Sequence, residues 1–151
     1  MPKRLVAKQM GELLVEQGML RREQLTHALQ VQQERGGLLG QILVSLAYVS
    51  EESVAQALTA QYGFPYLPLK NYLIDPELVR MIPENVARQY YLIPVDRMGD
   101  SLTIAMADPL NVRAVEDVEM ISRCSVQVFV STLTEVAVAI ARSYGEAKTN
   151  A

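Results

Sequence analysis

Two glutamines and two glycines are the residues of this chain whose type and spacing could recognise a ligand. Gln32 and Gln61 lie 29 positions apart, and so do Gly11 and Gly40. A side-chain amide offers two donors and an acceptor, which suits a base edge or a backbone group. Glycine early in a helix costs about 1 kcal/mol relative to alanine. Something must offset that cost: close helix packing, or close approach of a ligand. The remaining reactive residues assemble no catalytic set. His27 is the sole histidine. It sits mid-helix, off the apolar face marked by Leu25, Ala28 and Leu29, and reads as a solvated side chain. Cys124 is the sole cysteine, so no internal disulfide can form and zinc has no ligand set to draw on. Glu116, Asp117 and Glu119 spread around one helix rather than converging. Tyr62, Tyr90 and Tyr91 could stack on a base, but at a strand entrance they read as core and rim packing. No G-x-x-x-x-G-K-[ST] loop occurs, which excludes ATP hydrolysis of that kind in this chain. Neither a G-x-S-x-G elbow nor a G-x-G-x-x-G fingerprint is present.

The elements that carry these residues form a tandem repeat. Met10–Gln33 aligns on Leu39–Tyr62, with Gly11 on Gly40, Leu14 on Leu43, Val15 on Val44, Glu23 on Glu52, Ala28 on Ala57, Leu29 on Leu58 and Gln32 on Gln61. A fixed period is one supersecondary unit used twice. Each unit reads as helix–turn–helix. Met10, Leu13 and Leu14 share a face, Gly18 fits the left-handed position that ends a helix, and a second helix runs from Arg22 to Arg35. Gly36-Gly37 breaks the chain. The second unit follows with Gly40–Leu46, Ser50 as N-cap and Glu51 and Glu52 in the first helical turn, where the dipole favours acids. Leu29 and Leu58 are expected to be buried at equivalent sites.

After Gly63 the pattern changes. Phe64–Leu69, with two prolines, reads as a short edge strand. Asp75-Pro76 starts a helix, Tyr91–Val95 and Leu102–Met106 form a hairpin, and Asn111–Ser122 is a helix. Ser125–Ser131 alternates as a strand, and Thr132-x-x-Glu135 is a capping box opening a helix through Tyr144. The fold class expected is α+β: an N-terminal all-helical tandem repeat, residues 1–63, packed on a small three- to four-stranded α/β sandwich, residues 64–145, with helices on one face of the sheet. Residues 146–151 read as a disordered tail or linker.

Half of the 151 residues are apolar and the formal charge is −3. No face is broadly basic, so a nucleic-acid polymer is not an expected partner; Lys3, Arg4 and Lys8 read as a solvated terminus. No stretch approaches 18 apolar residues and no signal peptide opens the chain, so direct membrane insertion is not expected.

The double unit, in which a glycine preceded by Leu or Met is followed by spaced leucines and a closing glutamine, resembles the N-terminal domain of type II secretion and type IV pilus assembly ATPases. The stretch Ile93–Pro109 resembles that family's α/β N-terminal region, and the likeness runs from about Val6 to Tyr144. It implies a cytoplasmic, non-enzymatic docking module. Its partners would be an inner-membrane platform protein, which could recruit it to that membrane, and the ATPase motor domain in cis or in trans. In part of the family the tandem unit is a receptor for cyclic di-GMP. No other cofactor is implied. The positions matching that cradle are Met10, Gly11, Leu14, Leu25, Leu29 and Gln32, then Leu39, Gly40, Leu43, Val54, Leu58 and Gln61. In those cyclic di-GMP-binding members each motif begins Arg-Leu-Gly; here the arginine positions hold Gln9 and Leu38, and the second turn glycine is Ala47, which has either to accept left-handed backbone, at about 1–2 kcal/mol, or to turn differently.

Overall fold

The computed structural model describes residues 9–149; the basic tip Lys3, Arg4 and Lys8 lies outside them. Among the described residues, four helices make the first part: α1 (Gln9–Glu16), α2 (Arg22–Arg35), α3 (Leu39–Ser45) and α4 (Glu51–Tyr62). Helices α1 and α3 end in the same turn. Met19 N–H donates to the Leu14 carbonyl and Gly18 N–H to that of Val15, at 2.9 and 3.0 Å; 29 residues on, Tyr48 donates to Leu43 and Ala47 to Val44, at 3.0 and 2.9 Å. These are paired Schellman closures. They require positive φ at the same place, +75° at Gly18 and +60° at Ala47, so the alanine does take left-handed backbone. Helix α4 begins on Ser50, whose hydroxyl accepts from Ser53 N–H at 3.1 Å.

The second part holds α5 (Pro76–Val79), α6 (Glu84–Tyr90), β1 (Leu92–Met98), β2 (Ser101–Met106), α7 (Val112–Ser122), β3 (Ser125–Val130) and α8 (Leu133–Thr149). Asp75 caps α5 by accepting from Glu77 N–H at 2.9 Å. Thr132 and Glu135 cap α8 reciprocally, at 3.2 and 3.1 Å. Strand order is β1–β2–β3, with β1 antiparallel to β2 and β2 parallel to β3; α7 makes the crossover that a parallel pair needs. A bulge separates Pro94 from Asp96 in β1.

Four expectations need correction. The Phe64–Leu69 strand is a single parallel bridge, Tyr66 to Val130, because Pro65 and Pro68 have no N–H with which to extend a ladder. The sheet is covered on both faces. Ile93, Val95 and Ala105 pack with Val136, Ala139 and Ile140 of α8, while Leu92, Leu102, Ile104 and Met106 pack with Ala114 and Val118 of α7. Leu92–Val95 is buried without alternation, as two-sided cover demands. Helix α8 continues past Tyr144 to Thr149, taking in four residues assigned to the tail; Asn150 and Ala151 lie outside the described residues.

The fourth correction is Leu29. It is 46% exposed, whereas its counterpart Leu58 is 0% exposed. Helix α4 packs against both α1 and β3; α2 packs only on its own side, against α1 and α3. The α/β part therefore covers the second unit and leaves the outer face of the first in solvent. Leu110 and Val130 join the buried cluster of the repeat, so the two parts share one core.

Candidate functional site

The candidate residues are positioned by α1 and α3, which cross at their glycines. A Cβ on Gly11 would stand 2.5 Å from Leu25 Cδ1 and 3.3 Å from Leu39 Cδ2; one on Gly40 would stand 3.4 Å from Met10 Sδ. Leu39 is the repeat counterpart of Met10. Each unit thus lays its large residue on the other unit's glycine, the reciprocal contact of a local two-fold arrangement. Gly11 is in use for close packing, and Gly40 takes Met10 at ordinary contact distance. Met10, Leu14, Leu25, Leu43, Val54 and Leu58 are buried in this same core, and Leu39 packs on its edge.

The two glutamines are not brought into one pocket. Gln32 Nε2 donates to the Gly37 carbonyl at 3.0 Å, holding the Gly36-Gly37 turn. Gln61 lies in a groove of about 390 Å³ with Tyr62, Leu13, Glu12 and Glu16, where Glu16 adds negative charge and Glu12 is paired with a cation. Arg22 pairs with Glu12 at 3.0 Å and holds its carboxyl below the usual range through a hydrogen bond and its charge. Of the two positions expected to hold arginine in a cyclic di-GMP receptor, Leu38 is half-buried. It lines a cavity of about 20 Å³ with Gly40, Gln41, Glu51, Asp108 and Thr132. That is room for about one water molecule. Gln9 lies in α1, with its side chain outside what is described.

The junction between the parts holds functional candidates that sequence reasoning missed. Burial pushes the Asp108 carboxyl up to about 6, against the opposing pull of the Leu110 N–H that it accepts at 3.1 Å. Glu51, at the start of α4, accepts from Thr134 N–H and Oγ1, at 2.5 and 2.9 Å, so the repeat caps a helix of the sheet. Gln41 Nε2 donates to the Tyr91 hydroxyl at 2.8 Å. Tyr91 has φ +52°, left-handed backbone that a bulky residue adopts only when its surroundings enforce it. Here the Gln41 bond holds its tip and Ala107 N–H holds its carbonyl, at 3.1 Å. The only local signal was Asp108-Pro109, which reads equally as a strand terminator. His27 is exposed as expected, with Nδ1 2.7 Å from the Tyr48 hydroxyl. Among the described residues no group of three or more metal-ligating side chains converges.

Known proteins resemble this chain in sequence and fold. The family model of the MshEN domain matches residues 62–150. The type IV pilus assembly ATPase PilB of Myxococcus xanthus is 34% identical over 137 residues; these are 91% of this chain but 24% of PilB. The chain therefore spans about a quarter of that relative's length. The structure of MshE with cyclic di-GMP superposes with a TM-score of 0.67 at 31% identity, covering 91% of this chain and 99% of that one. The N-terminal domain of XpsE superposes at 0.74 with 23% identity, covering 91% and 94%, and shows the same fold.

Proposed function

From the premise that this chain belongs to the MshEN family, the N-terminal domain of type II secretion and type IV pilus assembly ATPases, we propose that it is a non-enzymatic docking and regulatory module. It couples an assembly ATPase motor, in cis or in trans, to the cytoplasmic domain of an inner-membrane platform protein. The observation that carries this reading is the weld between the parts. Gln41 to Tyr91, Glu51 to Thr134 and the shared core around Leu110 and Val130 make repeat and sheet one body, able to pass a force or displacement from one face to another. The residues with chemical character are consumed in that framework. No helix among the described residues is long and apolar enough to cross a membrane; a cytoplasmic chain recruited by its partner fits the reading. The test is co-purification of the full chain with cytoplasmic domains of platform proteins encoded beside the ATPase. A stoichiometric complex is expected; no complex with any of them sinks the proposal.

A second reading is favoured by the structure of MshE with cyclic di-GMP: that the tandem unit binds the same ligand, across Met10, Gly11, Leu14, Leu25, Leu29 and Gln32 and their counterparts. Here it would bind weakly. Gln9 and Leu38 supply no cation, and an arginine contact to phosphate or a base face contributes about 1–3 kcal/mol when desolvated. Gln61 stands beside Glu12 and Glu16. Calorimetry with cyclic di-GMP decides the ranking. A submicromolar Kd would make the sensor reading primary. If binding is weak, Gln9→Arg with Leu38→Arg should strengthen it.

A further inference from the structure

Exposed apolar surface, a free strand edge and surplus negative charge coincide at one place in this molecule. It is the groove of about 530 Å³ between the loop before α5, α5 itself and β1. Leu73, 91% exposed, and the partly buried Met81 supply its apolar lining. Asp75, Glu77 and Asp96 line it against a single cation, Arg97. Arg97 is folded back on its own hairpin: Nε donates to the Gly99 carbonyl at 2.8 Å and Nη1 lies 3.8 Å from Met81 Sδ. Arg80 bridges Glu77 at 2.9 Å. No salt bridge among the described residues neutralises Asp75 or Asp96.

The backbone adds a third element. Strand β1 is the outer strand of the sheet. The Tyr72 hydroxyl covers its edge at the Val95 carbonyl, at 3.3 Å. Beyond the bulge, Asp96, Arg97 and Met98 are exposed. An uncovered edge is a template for an added strand. Met120 and Ile121 on α7 are exposed as well and stand near Glu119, but they lie on a helix and offer no strand edge.

We propose that this groove docks an extended segment of the platform protein's cytoplasmic domain, one carrying an apolar side chain flanked by lysine or arginine. The apolar residue seats on Leu73 and Met81. The flanking cation meets Asp96 and Asp75, and the segment's backbone pairs with the open end of β1. Charge of this sign selects the partner and speeds encounter. The inference rests on the docking reading and names its surface.

The experiment titrates the full chain against the purified cytoplasmic domain of the platform protein by calorimetry, at low and at physiological salt. The variants are Leu73→Ser, Asp96→Lys and, as control, Met120→Ser with Ile121→Ser. All lie on exposed positions, and thermal melts check that each folds. Each groove variant should weaken Kd about tenfold or more, as loss of an interface anchor does. Salt should weaken the wild type more than Asp96→Lys. Groove variants that bind within about twofold of wild type, with the control losing binding, would overturn this surface and leave the docking reading standing. A wild type that binds no platform domain sinks both. Sedimentation of the chain alone addresses a second copy as occupant: a homodimer dispersed by Leu73→Ser would overturn the proposal.

Discussion

Helices α1 and α3 close through the same hydrogen bonds, one on Gly18 and the other on Ala47, so Ala47→Gly measures an alanine's left-handed backbone with little else changing. Left-handed conformation costs an L-residue about 1–2 kcal/mol. Glycine returns part of this by loosening the unfolded chain, about 0.5–1 kcal/mol. Ala47 is exposed, so its methyl contributes no core burial. The net expectation is a stabilisation of about 0.5–1 kcal/mol, or roughly 2–4 °C in Tm per kcal/mol for a chain of this size. Gly18→Ala is the reverse experiment. No atom lies within 4 Å of a Cβ built there, so its penalty is backbone strain alone, again about 0.5–1 kcal/mol. The turns share no hydrogen-bond partner, so the double swap should return close to wild type. Urea unfolding, with thermal melts as a second measure, reads all three. A melting point for Ala47→Gly below wild type, or Gly18→Ala at wild-type stability, would refute the reasoning.

Three further outcomes are expected. Leu58→Ala should destabilise by about 2–5 kcal/mol, the range for a filled core site, while Leu29→Ala should cost under about 1 kcal/mol; equal losses in urea unfolding would mean the two units are equally covered. Gly11→Ala should destabilise by about 1–2 kcal/mol despite its better helix propensity, because the new methyl meets Leu25 and Leu39. Gly40→Ala, facing only Met10 at ordinary contact, should be neutral or gain up to about 1 kcal/mol; the same change in melting point for both would discard this difference in packing between the two glycines. Asp108, with its folded pKa raised to about 6 from 3.8, binds protons more readily folded than unfolded. Its contribution to stability therefore falls as pH rises from about 4 to 6 and stays low above that. Asp108→Asn should recover about 1–3 kcal/mol at pH 7 relative to pH 4, and parallel stability curves for variant and wild type would exclude this.

Local chemistry was legible wherever one residue dictates it. The Gly18 turn, the Ser50 cap, Asp75-Pro76 and the Thr132/Glu135 box all follow from residues acting on their own backbone, whereas the positive φ at Ala47 is imposed by the turn against the alanine's own preference. Environment was not legible. Aligning Leu29 with Leu58 assumes that equal sequence means equal surroundings, but α4 packs against β3 and α2 against α1 and α3. The run Leu92–Val95 contains a proline and no polar break, and without knowing that α7 and α8 take opposite faces it reads as one-sided. The small-residue run after Tyr144 reads as a tail, yet α8 passes through Gly145 to Thr149. Tyr91 had no signal at all, since an aromatic is among the last residues expected in left-handed backbone. At the site, the glycines were recognisable as places of close approach. Whether a ligand or the other repeat makes that approach depends on Leu25, Leu39 and Met10 in three dimensions.

The repeat raises a question of symmetry that its packing helps to answer. A duplicated unit offers two equal surfaces only if both remain equally accessible. Here Met10 on Gly40 and Leu39 on Gly11 use the equivalence inside the molecule, to bring α1 and α3 together. Outside, the equivalence is lost. Gln32 is tied to its own glycine turn, and Gln61 stands beside two carboxylates. Leu38 faces the sheet across the Asp108 cavity, and the outer face of α2 meets solvent. A two-fold ligand would therefore find unequal halves and would gain little from the duplication. A protein partner has no such requirement, because it recognises one asymmetric patch. The acidic groove along β1 is such a patch, and it belongs to the part of the chain that the repeat braces rather than to the repeat itself. The tandem unit holds Glu51 and Gln41 against α8 and Tyr91, and on the proposed docking reading these contacts would carry a load applied at the sheet edge into the helices.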